Sequence, residues 1–112
     1  MPTVELTEAD SGRSIEARTG DEIVVRLPEN ATTGYRWQID SVSQEIEPLG
    51  NSYELDSAPG RQPKFGGGGI RQFRFRAKAP AAARIELKRL RPWEGAKSVD
   101  GQFDLDVAIQ DS

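Results

Sequence analysis

The last stretch of the chain constrains the fold most. Phe103, Leu105, Val107 and Ile109 alternate with Asp104, Asp106 and Ala108, so apolar residues recur at every second position. Side chains of an extended strand point alternately to two faces, whereas an amphipathic helix needs apolar residues three and four apart. The same period of two returns along the chain. Val4 and Leu6, then Ile15 and Ala17 beyond Asp10-Ser11-Gly12, read as a first strand in two pieces. Glu22 to Leu27 follows as a second strand, with Ile23, Val24 and Val25 favouring extension. Tyr35, Trp37 and Ile39 mark a third strand, with Trp37 as a core anchor. Residues 41–56 read as one strand broken at Pro48-Leu49-Gly50. Arg71, Phe73, Phe75 and Ala77 mark a fifth strand that Pro80 terminates, and Ile85 and Leu87 a sixth. Strands at this spacing, with no useful helical period, predict an all-β chain folded as an antiparallel β-sandwich.

A chain of 112 residues is expected to form a single domain, 1–112, burying roughly two thirds of its unfolded surface. No apolar run approaches the roughly 18 residues of a membrane span, and the first residues lack the basic-then-apolar pattern of a signal peptide. A soluble protein is expected, with no membrane partner. Its compartment stays open: cytoplasmic, or periplasmic or secreted if a leader was removed.

Cysteine and histidine are both absent. No disulfide, thiolate nucleophile or Ser/His or Cys/His pair is therefore possible, and zinc or copper would lack its usual ligands. The carboxylates, lysines and tyrosines that remain are not arranged as a catalytic site. The expectation is a protein that is not an enzyme and needs no cofactor or metal. A net charge of −3 argues against nucleic acid as the main partner.

Three loops stand out between the strands. Asn30, Ala31, Thr32, Thr33 and Gly34 join the second and third strands, with Gly34 able to take a positive φ and the threonines at the tip. Gly66, Gly67, Gly68 and Gly69 end a long loop that begins near Ser57 and lets another backbone approach closely. Arg91, Pro92 and Trp93 open the loop before the last strand, Pro92 fixing φ beside a large rigid side chain. Successive strands of a sandwich mostly alternate in direction, so loops two strands apart lie at the same end. All three are expected to project from one end, provided residues 41–56 hold a single strand. Together they have the chemistry of a binding surface.

Asn-x-Thr-Thr-Gly-Tyr at Asn30 to Tyr35, Gly-x-Gly-Gly at Gly66 to Gly69 and Arg-Pro-Trp at Arg91 to Trp93 resemble, in order and spacing, the motifs of the chagasin-like inhibitors of papain-family cysteine proteases. The resemblance implies an immunoglobulin-like domain, monomeric when free, that reversibly occludes the active-site cleft of a papain-like cysteine protease. It implies that Thr32 and Thr33 enter the cleft at the catalytic cysteine. Gly66 to Gly69 would line the substrate side through backbone hydrogen bonds, and Trp93 would pack on the leaving-group side with Arg91 and Pro92 shaping its loop. The chain departs from the family's commonest form at Ala31, where proline is frequent. Alanine leaves φ free, at a cost of roughly 0.4–1 kcal/mol in ordering the loop.

Other readings compete. Trp93 could be a core residue at a strand end, the glycines a plain connection, and Asp104 and Asp106 the solvent face of a strand rather than a carboxylate pair. Asn30-Ala31-Thr32 also fits a glycosylation pattern, although a sugar would block the loop. A non-inhibitory immunoglobulin-like interaction module would carry the same loops without effect on any papain-like protease. Arg71, Arg74, Arg76, Lys78, Arg84, Lys88, Arg89 and Arg91, with Phe73 and Phe75 among them, raise nucleic-acid binding. The fifth and sixth strands of such a sandwich lie in different sheets, however, so their basic faces would point apart.

Overall fold

The computed structural model describes residues 3–30, 33–55 and 69–111. Eight strands appear in chain order: β1 Thr3–Thr7, β2 Arg13–Arg18, β3 Glu22–Glu29, β4 Arg36–Val42, β5 Ile46–Leu55, β6 Gly69–Ala77, β7 Ala81–Leu90 and β8 Gly101–Gln110. Two 3-10 turns, Glu8–Asp10 and Gly95–Ser98, lie among the connections. No described helix is long and apolar enough to cross a membrane. The strands form two four-stranded sheets, β1-β3-β6-β5 and β2-β8-β7-β4.

Inward-facing residues of both sheets make the core, including Ile23, Val25 and Leu27 of β3, Phe73 and Phe75 of β6, Ile85 and Leu87 of β7, and Phe103, Leu105 and Val107 of β8. Phe73 and Phe75 leave the same face of β6 with ring centroids 6.4 Å apart. Each such side chain contributes about 1.5–3 kcal/mol on burial, which is why the two-residue period determines the sandwich. Trp37 is 5% exposed, in the core as expected.

The structure differs from the sequence reading in four places. The two pieces of the first strand are separate strands in opposite sheets, joined by the Glu8–Asp10 turn. Each lies parallel to its neighbour, β1 to β3 and β2 to β8, so two edge pairs depart from an otherwise antiparallel sandwich. Both pieces show the same alternation, which places a side chain on a face but does not say which sheet the face belongs to. Second, β3 runs through Pro28 to Glu29; β1 has ended opposite Arg26, so the missing N–H of Pro28 breaks no ladder on that side.

Third, Ile39 is 38% exposed although it lies opposite the buried Leu87, at a position on the edge strand β4 just before its pairing with β7 shifts register. Fourth, Gly69 is the first residue of β6, paired with Glu29 and Leu55, and not part of the loop. Residues 46–55 do form one strand, with a bulge at Pro48 and Gly50. Pro48 is tolerated because β5 is an edge strand.

Candidate functional site

The stems of the three singled-out loops meet at one end. Glu29 at the close of β3 pairs with Gly69 at the opening of β6, which also pairs with Leu55 at the close of β5. In the other sheet Arg36 opens β4 opposite Leu90, the last residue of β7. Asn30, Thr33, Gly34, Gly69, Arg91, Pro92 and Trp93 are described; Ala31, Thr32, Gly66, Gly67 and Gly68 lie outside the described residues.

Local chemistry shapes the first loop. The Asn30 carbonyl accepts the Thr33 hydroxyl at 2.9 Å and the Thr33 N–H at 3.2 Å, closing a turn. The Thr33 hydroxyl in turn receives the Tyr35 N–H at 3.4 Å. Gly34 then reverses the chain at φ +80°, a conformation costly for any residue with a Cβ. A second demand falls on the same residue, since a Cβ on Gly34 would overlap the six-membered ring of Trp93. The glycine is needed for its turn and for the seat it leaves open.

Trp93 occupies that seat while remaining 70% exposed. It is therefore not a core residue. Its loop is drawn tight from within: the Arg91 carbonyl accepts the N–H groups of Glu94 at 2.9 Å and Gly95 at 3.1 Å. The Ser98 hydroxyl accepts the Arg91 N–H at 2.9 Å and donates to the Gly95 carbonyl at 2.7 Å. From this loop Arg91 reaches across to the first one. Its Nε donates to the Thr33 carbonyl at 3.2 Å, and its guanidinium lies 4.5 Å from the centre of the Tyr35 ring. A hydrogen bond to Glu94, 3.0 Å from Nη1, raises the Arg91 pKa above its ordinary value, so the bridge carries its charge throughout the working pH range.

Beneath the loops lies a polar group that the sequence reading did not assign. Glu29 is 3% exposed and paired with Arg71, with 2.7 Å between Oε2 and Nη2. The same carboxylate accepts the Trp37 N–H at 2.7 Å, while the Trp37 indole N–H donates to the Pro28 carbonyl at 2.8 Å. Tyr53 donates its hydroxyl to the Glu29 carbonyl at 3.2 Å and lies beneath the Arg71 guanidinium. Two signals could have found the pair. Glu29 continues the parity of Ile23, Val25 and Leu27, and Arg71 shares that of Phe73 and Phe75.

Other expectations resolve simply. Asp104 and Asp106 sit on the outer face of β8 and both form ion pairs with Arg84. The basic residues make no common stripe, because β6 and β7 belong to different sheets and Arg74 and Arg84 are paired with carboxylates. Among the described residues no group of three or more carboxylates is placed to hold a metal ion.

Comparison with known proteins agrees with this geometry. The chain is 27% identical over 100 residues to Chagasin of Trypanosoma cruzi, covering 88% of this chain and 90% of that protein. Its fold is similar to the crystal structure of the cysteine protease inhibitor EhICP2 from Entamoeba histolytica. There the TM-score is 0.85 at 23% identity, over 98% of this chain and 97% of that one. It is also similar to PbICP-C, solved in complex with falcipain-2, with a TM-score of 0.68 at 16% identity over 97% and 92% of the two chains. The family model described as Chagasin family peptidase inhibitor I42 matches residues 16–107, and the chain, an inhibitor rather than an enzyme, belongs to that family.

Proposed function

We propose that this chain, acting as a soluble monomer, reversibly inhibits papain-like cysteine proteases by laying the three loops across the active-site cleft. Thr32 and Thr33 meet the catalytic cysteine, Gly66 to Gly68 run along the substrate side, and Trp93 packs on the leaving-group side. The observation that carries the reading is the state of Trp93. A tryptophan 70% exposed, held in place by Gly34 and by a loop that Arg91 ties to its neighbour, is a pre-set anchor rather than a stray apolar residue. The entropy of ordering it is spent in folding, so docking does not have to meet it again. Such an inhibitor needs no chemistry of its own, in keeping with a chain without histidine or cysteine. A stable complex of this kind covers about 800 Å² on each partner.

The test is a titration of papain, or of a cathepsin L-type enzyme, against a fluorogenic substrate with the native chain and with Trp93→Ala. Stoichiometric inhibition is expected, weakened in the variant by about 2 kcal/mol or more, roughly thirtyfold. Absence of inhibition at micromolar protein with an intact circular dichroism spectrum would overturn the proposal.

A further inference from the structure

Glu29 and Arg71 lie at the stems of the first two loops and join all four strands that carry them. Glu29 closes β3, Arg71 stands two residues into β6, Trp37 belongs to β4, and Tyr53 and Asn51 to β5. One carboxylate oxygen takes the Trp37 N–H, which points away from β7 on an edge strand and would otherwise lack a ladder partner. The other takes Arg71 through Nη2 at 2.7 Å and Nε at 3.2 Å. The remaining Arg71 nitrogen donates to Asn51 Oδ1 at 2.9 Å. Nε also reaches the first oxygen at 3.3 Å, so the pair joins β3 to β6 while bonding Trp37 of β4 and Asn51 of β5, and the glycine run ends at Gly69, directly opposite Glu29.

A buried ion pair is a poor source of net stability, because desolvation cancels most of its attraction. Apolar residues of equal volume would serve the core as well. What they would lack is direction: a planar carboxylate held by a planar guanidinium allows one relative placement of the strands, whereas apolar side chains slide. We infer that Glu29 and Arg71 are positioning residues for inhibition, fixing the stem of the Thr-Thr-Gly loop to the stem of the glycine loop so that both enter one cleft together. The inference rests on the proposed inhibitory function.

Glu29→Gln tests it, since the amide keeps the volume and the acceptor for the Trp37 N–H but loses the charge that pairs with Arg71. Its inhibition of papain, its thermal unfolding and the amide hydrogen exchange of residues 30–35 and 66–69 in the free protein are measured beside Val107→Ala. That control opens a cavity in β8, away from the pair. Glu29→Gln is expected to bind about tenfold more weakly, mainly through faster dissociation, with faster exchange in both loops at temperatures where it is fully folded. Val107→Ala is expected to melt earlier with inhibition unchanged. Should Glu29→Gln fail to fold, Arg71→Lys, which keeps the charge and loses the fork, is expected to weaken inhibition in the same direction. A Glu29→Gln protein that melts earlier but inhibits and exchanges like the native chain overturns the inference. If the native chain does not inhibit, the functional proposal fails by itself, and unchanged exchange in both loops would then overturn the positioning role separately.

Discussion

The two ends of the sandwich close their sheets in different ways. At the end remote from the site, the connections are residues 19–21, 43–45 and 78–80, three residues each. Main-chain bonds seal them: Thr19 N–H to Gln110 at 2.9 Å, Gly20 N–H to Ala77 at 2.8 Å, Ala77 N–H to Asp21 at 3.0 Å and Lys78 N–H to Glu45 at 2.8 Å. At the other end the connections include residues 30–35, 56–68 and 91–100, all longer than the three-residue turns opposite. There side chains add ties that main-chain turns do not make, with Arg91 joining loop to loop and Glu29 with Arg71 joining stem to stem. A short turn holds itself. A displayed loop must be held by something else, and the residues that hold it are as much part of the site as those that touch a partner.

The comparison is broken most severely through glycine. Gly34 and Gly20 both sit at positive φ, +80° and +97°, one at each end. Alanine at either should destabilise the fold by about 1–2 kcal/mol, measurable by denaturant unfolding. Only Gly34→Ala also displaces the Trp93 ring, so it alone should lose inhibition, by about thirtyfold. Equal loss of inhibition from Gly20→Ala would mean that the two ends are not independent.

The difference between the ends was only partly visible in the sequence. Alternation revealed the strands because most core residues sit between polar neighbours, and Trp37 falls in phase with that pattern. Trp93 has no phase, so its exposure became readable only once Gly34 and Arg91 were seen against it. Glu29 and Arg71 were each in phase with apolar residues, an anomaly on the page, but their pairing spans 42 positions and depends on the register of β3 with β6. Long-range register is set by the whole core, and no local pattern encodes it. For the same reason the division of Val4–Leu6 and Ile15–Ala17 between two sheets was not legible.

A smaller effect is expected where a single bridge is weakened without disturbing the glycine. Arg91→Lys keeps the charge but gives up the Nε bond to Thr33 and the flat contact over Tyr35. The loss should be about 1 kcal/mol, roughly fivefold in inhibition, with little change in melting temperature. The raised Arg91 pKa makes its favourable contribution present at all pH values below the ordinary arginine value and lost only in strong alkali. The ratio of variant to native inhibition should therefore be the same at pH 5 and pH 8.

The smallest effect belongs to neither end. On the outer face of the β7 sheet, Glu86 is held by Arg84 at 3.0 Å and by the Ser41 hydroxyl at 2.8 Å, and these two hydrogen bonds, Arg84 first, lower its pKa below the ordinary glutamate value. A depressed carboxylate stabilises the fold above its unfolded pKa, and that contribution disappears as pH falls through the folded value. The native chain should hence lose a little stability below about pH 4.5, and Glu86→Gln, which lacks that contribution at every pH, should be slightly less stable than the native chain near neutrality and lose less on acidification. Lying on the outer face of its sheet and joined to no loop stem, the residue should have no influence on inhibition at any pH. A pH-dependent change in inhibition on Glu86→Gln would show that the sheet faces communicate with the loops, and that the side-chain ties at the docking end are not its sole supports.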